Sequence, residues 1–295
     1  MSETRPIPWR RILTLTIGVA LTVAALVVAA RHIDFARLAS ANPAWLGALA
    51  LGVVGNIFAT SAVFWVITRS FDATPPVGFG KMTQLIGASA LLNYLPLMLP
   101  AGQVGRAAYL KVKNQLPLHQ SFLIVMIVLG VSALVMVVAG ASAALDPATI
   151  GLGTPMRWAF GAAGIALIAL ASGPVSRMTL RRKTWMAWTW APLRAVDLLV
   201  ISIRLYIAFQ IVGQPVTFAH VVVAASAGMF VSLLPLTPNG LGLREWVVGA
   251  LTEAMAPTTG GMGLAASVVD RGVEAVVLTV AGAWAMWKLK RESSG

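Results

Sequence analysis

The sequence predicts an all-α polytopic membrane protein, with about six full spans and two re-entrant helical hairpins related as an inverted repeat. Three observations point there. The 295-residue chain is 58% hydrophobic and only 11% charged, with mean hydropathy +0.82, whereas soluble domains carry about a quarter charged residues. Its apolar runs are continuous rather than alternating, so they read as helices and not as barrel strands. Two of these runs are interrupted by similar motifs, PLMLPAGQVGR at 96–106 and PLTPNGLGLRE at 235–245.

The elements follow in order. Segments of spanning length fall at 12–30, 44–67, 122–144, 158–172, 196–212 and 263–287. The first follows MSETRPIPWRR, a signal-peptide charge pattern, but its apolar run is longer than the usual signal core, so it reads as an uncleaved span. Tryptophans stand near many span ends (Trp9, Trp45, Trp65, Trp158, Trp246, Trp284, Trp287), as amphipathic rings do at an interface. Trp185, Trp188 and Trp190 flank a basic loop and suggest an interfacial surface helix. Met126 and Met136 read as lipid-facing packing.

Charge sets the topology. Lys and Arg collect on cytoplasmic loops. Arg5, Arg10 and Arg11 precede the first span; Arg106, Lys111 and Lys113 follow the first motif; Arg177 to Lys183 and the Lys288–Arg291 tail follow later. All of these fall on one side if 82–110 enters the membrane and returns, and if 221–255 does the same from the other face. The division is then 1–37 for the N-terminal segment and first span, 38–157 for a first half with hairpin 82–110, and 158–295 for a second half with hairpin 221–255 and the last span. Both termini are expected in the cytoplasm.

The interrupted helices carry the chemistry. Residues 82–95 span about 20 Å as helix, too short to cross. Proline stops the helix, and glycine lets the chain turn and expose backbone N–H groups. A new helix after each glycine points its N–H groups and partial positive charge into the break. With Arg106 and Arg244 adjacent, both breaks suit an anion, most simply a phosphate. A single Pro/Gly break is commonly only a kink, whereas two matched breaks suggest a site.

The last span holds Asp270, Arg271 and Glu274, with Asp270 and Glu274 on one helix face. A charge at mid-bilayer costs roughly 2.5–3.5 kcal/mol, so such groups pair or face water. Two readings stay open: pairing of Arg244 or Arg271 with Asp270 or Glu274, or a headgroup or proton site. Asp197 reads as an interfacial residue and Arg204 as a structural ion-pair partner.

Other chemistry is excluded or unsupported. With no cysteine, disulfides, thiolate ligands and cysteine nucleophiles are absent. His32, His119 and His220 are scattered, so no metal site is expected. GQVG and GLG follow no strand and are not dinucleotide fingerprints, and there is no P-loop for ATP. No cofactor is expected. The net charge of +12 suits anionic lipid surfaces, and no nucleic-acid partner is expected.

At the stretches NYLPLMLPAGQVGRAAYLKVK (93–113), SLLPLTPNGLGLREWVVGAL (232–251) and ASVVDRGVEAVV (266–277), the chain resembles the lysylphosphatidylglycerol synthase transmembrane-region family, the flippase-like domain. The likeness runs from about residue 38 to the end. It departs where a family acid is Val104 or Gly105, where a family glycine is Asn239, and where an aromatic is Asp270. With no aminoacyl-transferase region before Gly295, the resemblance implies the membrane part alone, a non-enzyme that moves lipid between leaflets of a bacterial inner membrane. It carries over Arg106, Gly102, Gly240, Gly242, Glu245 and Arg271; Arg244, Asp270, Glu274, Gly105, Asn93 and Asn239 complete the candidate substrate site. The implied partner is a phospholipid or glycolipid headgroup, with a second copy of the chain or a lipid-biosynthesis enzyme as further candidates. A non-transporting scaffold and a membrane-embedded lipid-modifying enzyme are the other readings.

Overall fold

The computed structural model describes residues 9–32, 42–71, 75–94, 101–144, 184–233, 240, 242–256 and 261–293. These form nine helices and no strand: α1 (Trp9–His32), α2 (Pro43–Arg69), α3 (Phe79–Tyr94), α4 (Ala101–Asn114), α5 (Leu118–Ala144), α6 (Thr184–Val212), α7 (Phe218–Leu233), α8 (Leu243–Met255) and α9 (Met262–Ser293). Among the described residues, α2, α5 and the part of α6 from Thr189 to Val212 are long and apolar enough to cross a membrane. The expected span at 158–172, the basic stretch 177–183 and the two proline-containing stretches at 95–100 and 234–239 lie outside the described residues.

Helix starts and stops have local causes. The side chain of Asn42 accepts a hydrogen bond from the Ala44 N–H, and Pro43 occupies the first helical position, so α2 begins there. Several hydroxyls inside the apolar helices are satisfied by their own helix: Thr68 donates to the Phe64 carbonyl at 2.7 Å, and Ser132 to Val128 at 2.6 Å. The outward faces carry Leu51, Phe122, Val276 and Val280, all well exposed, as lipid-facing residues are.

Two expectations need correction. Trp185, Trp188 and Trp190 do not form a separate surface helix: they belong to the first turns of α6, which runs unbroken through Pro192, and Trp190 is buried. The apolar surroundings that draw Trp190 inward belong to other helices and are not visible in its own loop sequence. The two methionines of α5 also divide, with Met126 exposed and Met136 in the core, because they are ten positions apart on a helix with inner and outer faces.

The apolar interior forms two main clusters. One joins α2, α3 and α5 around Ile67, Met82 and Leu116; the other joins α1, α6, α7 and α9 around Ala29, Phe209, Ala224 and Ala265. Apolar contact gains little over lipid, so close backbone approach has to hold such helices together. Small residues provide it at Gly140 against Ser226, between α5 and α7, and at Gly263 against Thr252 and Gly249, between α9 and α8.

Helix α9 orders the two interrupted segments. Helix α3 runs antiparallel to it: Lys81 pairs with Glu292, Gly87 faces Ala285, and Leu91 faces Gly282. Helix α8 runs antiparallel to its other end: Gly249 faces Leu264, while Arg244 reaches Asp270. The broken ends of α3 and α8 therefore approach α9 from opposite directions, between Glu274 and Gly282, roughly 12 Å of helix in its central turns.

Candidate functional site

Hairpin 1, formed by α3 and α4, closes more tightly than its sequence suggests. The sequence reading starts the new helix after the glycines, but α4 begins at Ala101, so Gly102 and Gly105 lie inside its first turns. Gly102 acts as a close-packing residue: a Cβ there would collide with the Ser89 backbone. Ser89 donates its hydroxyl proton to the Gly102 carbonyl at 2.8 Å, and the Gly102 N–H donates to Asn93 Oδ1 at 3.2 Å. One of the N–H groups expected to face the break is thus bound by the opposing arm. Gly105 has no such role, with Leu92 its nearest neighbour at 3.9 Å.

Hairpin 2, formed by α7 and α8, follows the expected chemistry. Gly240 and Gly242 have φ of +68° and +78°, the left-handed region where a side chain is strained. Helix α8 starts directly after them, with no side chain capping it. Gly242 also lets α1 cross: a Cβ there would lie 2.5 Å from that of Leu21, and the Trp246 indole N–H donates to the Leu21 carbonyl at 3.3 Å. Leu21 is mid-way along α1, which places the break deep along that helix. Asn239 lies outside the described residues.

The second-half charges converge on one network. Arg244 on α8 donates to Asp270 Oδ2 at 3.1 Å and lies 3.8 Å from Glu274 Oε2. Its neighbour Glu245 accepts from Arg271 at 3.0 Å, and Arg271 also donates to Glu274 Oε1 at 3.3 Å. Arg204 on α6 completes the group, donating twice to Asp270 Oδ1, at 3.1 and 2.8 Å, and to Glu274 Oε2 at 2.8 Å. Three guanidinium groups thus face three carboxylates. Such a set can sit in apolar surroundings because each charged group is hydrogen-bonded to an opposite charge, with Glu245 Oε2 alone among these carboxylate oxygens buried without a partner.

Residues missed in the sequence extend the network. Asn56 on α2 accepts from Arg204 at 3.5 Å and donates to Asp197 at 2.6 Å; Thr60 donates to Asp197 at 3.1 Å; Arg194 pairs with Asp197. Asp197 is fully buried, not interfacial as its position near a span end suggests, because α2 supplies two donors and Arg194 a cation. Asn56 and Thr60, four apart in a mostly apolar span, are the available signal. Gly52 one turn earlier makes room for the Arg204 stem, 2.6 Å from where its Cβ would stand.

Arg106 stands apart. It is 6% exposed, its guanidinium carbon lies 3.8 Å above the Phe64 ring, and its Nη2 is buried with no hydrogen-bond partner. Among the described residues, Arg194, Arg204, Arg244 and Arg271 each have a carboxylate and Arg106 has none. Phe64 shares the α2 face of Gly52, Asn56 and Thr60, at successive four-residue steps, so Arg106 and the network adjoin the same stripe about 12 Å apart.

These features can be set beside known proteins. The lysylphosphatidylglycerol synthase TM region is matched over residues 15–282, nearly the whole chain. The chain belongs to this family. Members of the lysylphosphatidylglycerol synthase TM-region family are membrane proteins, and the apolar helices make this one a multi-pass example. It is 37% identical over 79 residues to a "UPF0104 membrane protein" of Methanothermobacter thermautotrophicus, covering 27% of this chain and 22% of that protein. It is 39% identical over 66 residues to "Glycosyltransferase AglD" of Haloferax volcanii, covering 22% of this chain and 11% of that one. The matched stretches thus span less than a quarter of either curated relative.

Proposed function

We propose that the protein is a lipid translocase, flippase-like, which moves a phosphate-bearing phospholipid or glycolipid headgroup between leaflets and is not itself driven by ATP. The observation that carries this reading is Arg106, a buried cation beside a broken helix with no carboxylate among the described residues. A guanidinium in apolar surroundings calls for an anion, and its fork suits phosphate oxygens. The headgroup phosphate enters at hairpin 1 and is neutralised by Arg106, while the acyl chains stay in lipid.

Arg244 joins by exchange. Asp270 and Glu274 keep Arg204 when Arg244 turns to the phosphate, and Glu274 also keeps Arg271. Releasing Arg244 therefore orphans neither carboxylate, and the tip of hairpin 2 can follow the lipid. The approach of the two hairpins to opposite ends of α9 supports an inverted repeat, whose halves rock about a fixed central site. The site then comprises Arg106, Arg244, Glu245, Asp270, Arg271 and Glu274, with Asn93 and the backbone at Gly102, Gly105, Gly240 and Gly242 around it. On this reading the protein is not an enzyme, sits in a bacterial inner membrane and has both termini in the cytoplasm.

A second reading, a non-transporting partner of a lipid-biosynthesis enzyme, is favoured by the ion pairing of Arg244 and by the similarity to a protein called a glycosyltransferase. Reconstitution separates the two. Full-length protein in vesicles containing fluorescent phosphatidylglycerol makes inner-leaflet lipid accessible to dithionite if it translocates, and Arg106→Gln slows this by at least roughly tenfold, the scale of one charge-assisted hydrogen bond. A scaffold shows no movement above protein-free vesicles.

A further inference from the structure

We propose that the open end of hairpin 1 is an entry site for a lipid with an anionic phosphate headgroup: Lys81, Lys113 and Lys288 gather the headgroup at the membrane surface and pass it along one face of α4, by Tyr109, to Arg106. This rests on the translocase reading and adds where the lipid enters and which residues admit it.

The face is set by helical spacing. Gly102, Arg106, Tyr109 and Lys113 succeed one another by steps of four, three and four, which keeps them on one side of α4. Gly102 marks the deep end, against Ser89, and Lys113 the exposed end, about 16 Å of helix away. Arg106 lies about 10 Å inward of Lys113, with Tyr109 between them.

Three elements bring lysines to the exposed end. Lys81 starts α3, Lys113 ends α4, and Lys288 lies near the end of α9. The Lys81 ammonium stands 6.0 Å from the Tyr109 ring and donates to Gln84 at 3.1 Å. Burial, then repulsion from Lys288 and Lys113, holds it below the usual lysine range, so both of those charges act on Lys81. Lys81 pairs with Glu292, an exposed carboxylate at the tip of α9. An incoming phosphate can displace so exposed a group at little cost.

Aromatics give the depth. Lys288 lies over Trp284 at 5.3 Å and Arg291 over Trp287 at 5.6 Å, and both indoles are exposed. Exposed tryptophans beside cations belong at the headgroup level. The cluster therefore lies where phosphates are, and α4 leads inward from it to a buried guanidinium with an unpartnered Nη2. General positive bias of a loop accounts for surface lysines, but not for three elements converging on the line that ends at Arg106.

The test is a cross-link. A benzophenone amino acid in place of Tyr109, in the full chain reconstituted in phosphatidylcholine vesicles with one-fifth radiolabelled phosphatidylglycerol, should capture the anionic lipid on illumination. Lys81→Gln, Lys113→Gln and Lys288→Gln together should lower the yield at least roughly tenfold, given the attraction of each surface lysine for anionic lipid. Lys290→Gln with Arg291→Gln should change it less than twofold. An equal loss in both variants, or no loss in the triple, overturns the proposal, and so does displacement by excess inorganic phosphate. Lysine-dependent capture by a wild-type background that translocates nothing sustains the entry site and sinks the translocase reading.

Discussion

A charged side chain inside a membrane protein reveals its role through its partners. Arg204 is the centre of the network, since it holds Asp270 and Glu274 together. Arg204→Leu leaves two buried carboxylates short of charge, and the loss of one partner from such a pair costs about 3–5 kcal/mol. The variant is expected to unfold at markedly lower temperature in detergent. Arg244→Leu should cost less, because Asp270 keeps both bonds from Arg204. Arg106→Gln should behave in the opposite sense: no carboxylate among the described residues is left behind, and a desolvated charge is relieved. Its unfolding midpoint is expected to be unchanged or higher while lipid movement falls. A midpoint as low as that of Arg204→Leu would mean that Arg106 is a structural cation, and the proposed site would lose its main support.

At the scale of elements, the hairpins depend on how closely two backbones approach. Gly102→Ala pushes a methyl group into the Ser89 backbone, and with backbone on both sides the arms must separate. Overpacking of this kind costs about 1–3 kcal/mol. Gly105→Ala, one turn later, meets only Leu92 at ordinary contact distance and gains helix propensity of up to about 1 kcal/mol. A pair of thermal unfolding curves checks the contrast: the first variant should fall, and the second should stay level or rise. Gly242→Ala combines strain at φ +78° with a clash against α1. It should loosen α1 from hairpin 2, visible as faster hydrogen exchange of the α1 amides around Leu21.

The whole molecule is arranged by α9, whose two ends receive the two hairpins. Because the chain has no cysteine, single cysteines report topology directly. Lys111→Cys, at the open end of hairpin 1, and Arg291→Cys, at the end of α9, should react with a membrane-impermeant maleimide from the same side. Glu253→Cys, at the open end of hairpin 2, should react from the other. Labelling of Lys111→Cys and Glu253→Cys from one side would end the inverted-repeat reading, and the rocking mechanism with it.

The membrane class, the all-helical character of the described residues and the two interrupted segments are legible in the residues alone, because hydropathy, proline and glycine act within a few residues of chain. Gly240 and Gly242 are the clear case: their local conformation is what their residue type permits. Where partners lie far apart in sequence, helix packing sets the outcome. Asp197 reads as interfacial until Asn56 and Thr60, more than 130 residues earlier, donate to it. Arg244 and Arg106 follow similar glycine-containing motifs and look equivalent in sequence, yet α9 brings Asp270 and Glu274 to one while α2 brings the other an aromatic ring. A charge's role in low-dielectric surroundings is set by its neighbours in space, and those are fixed by helix packing rather than by position along the chain.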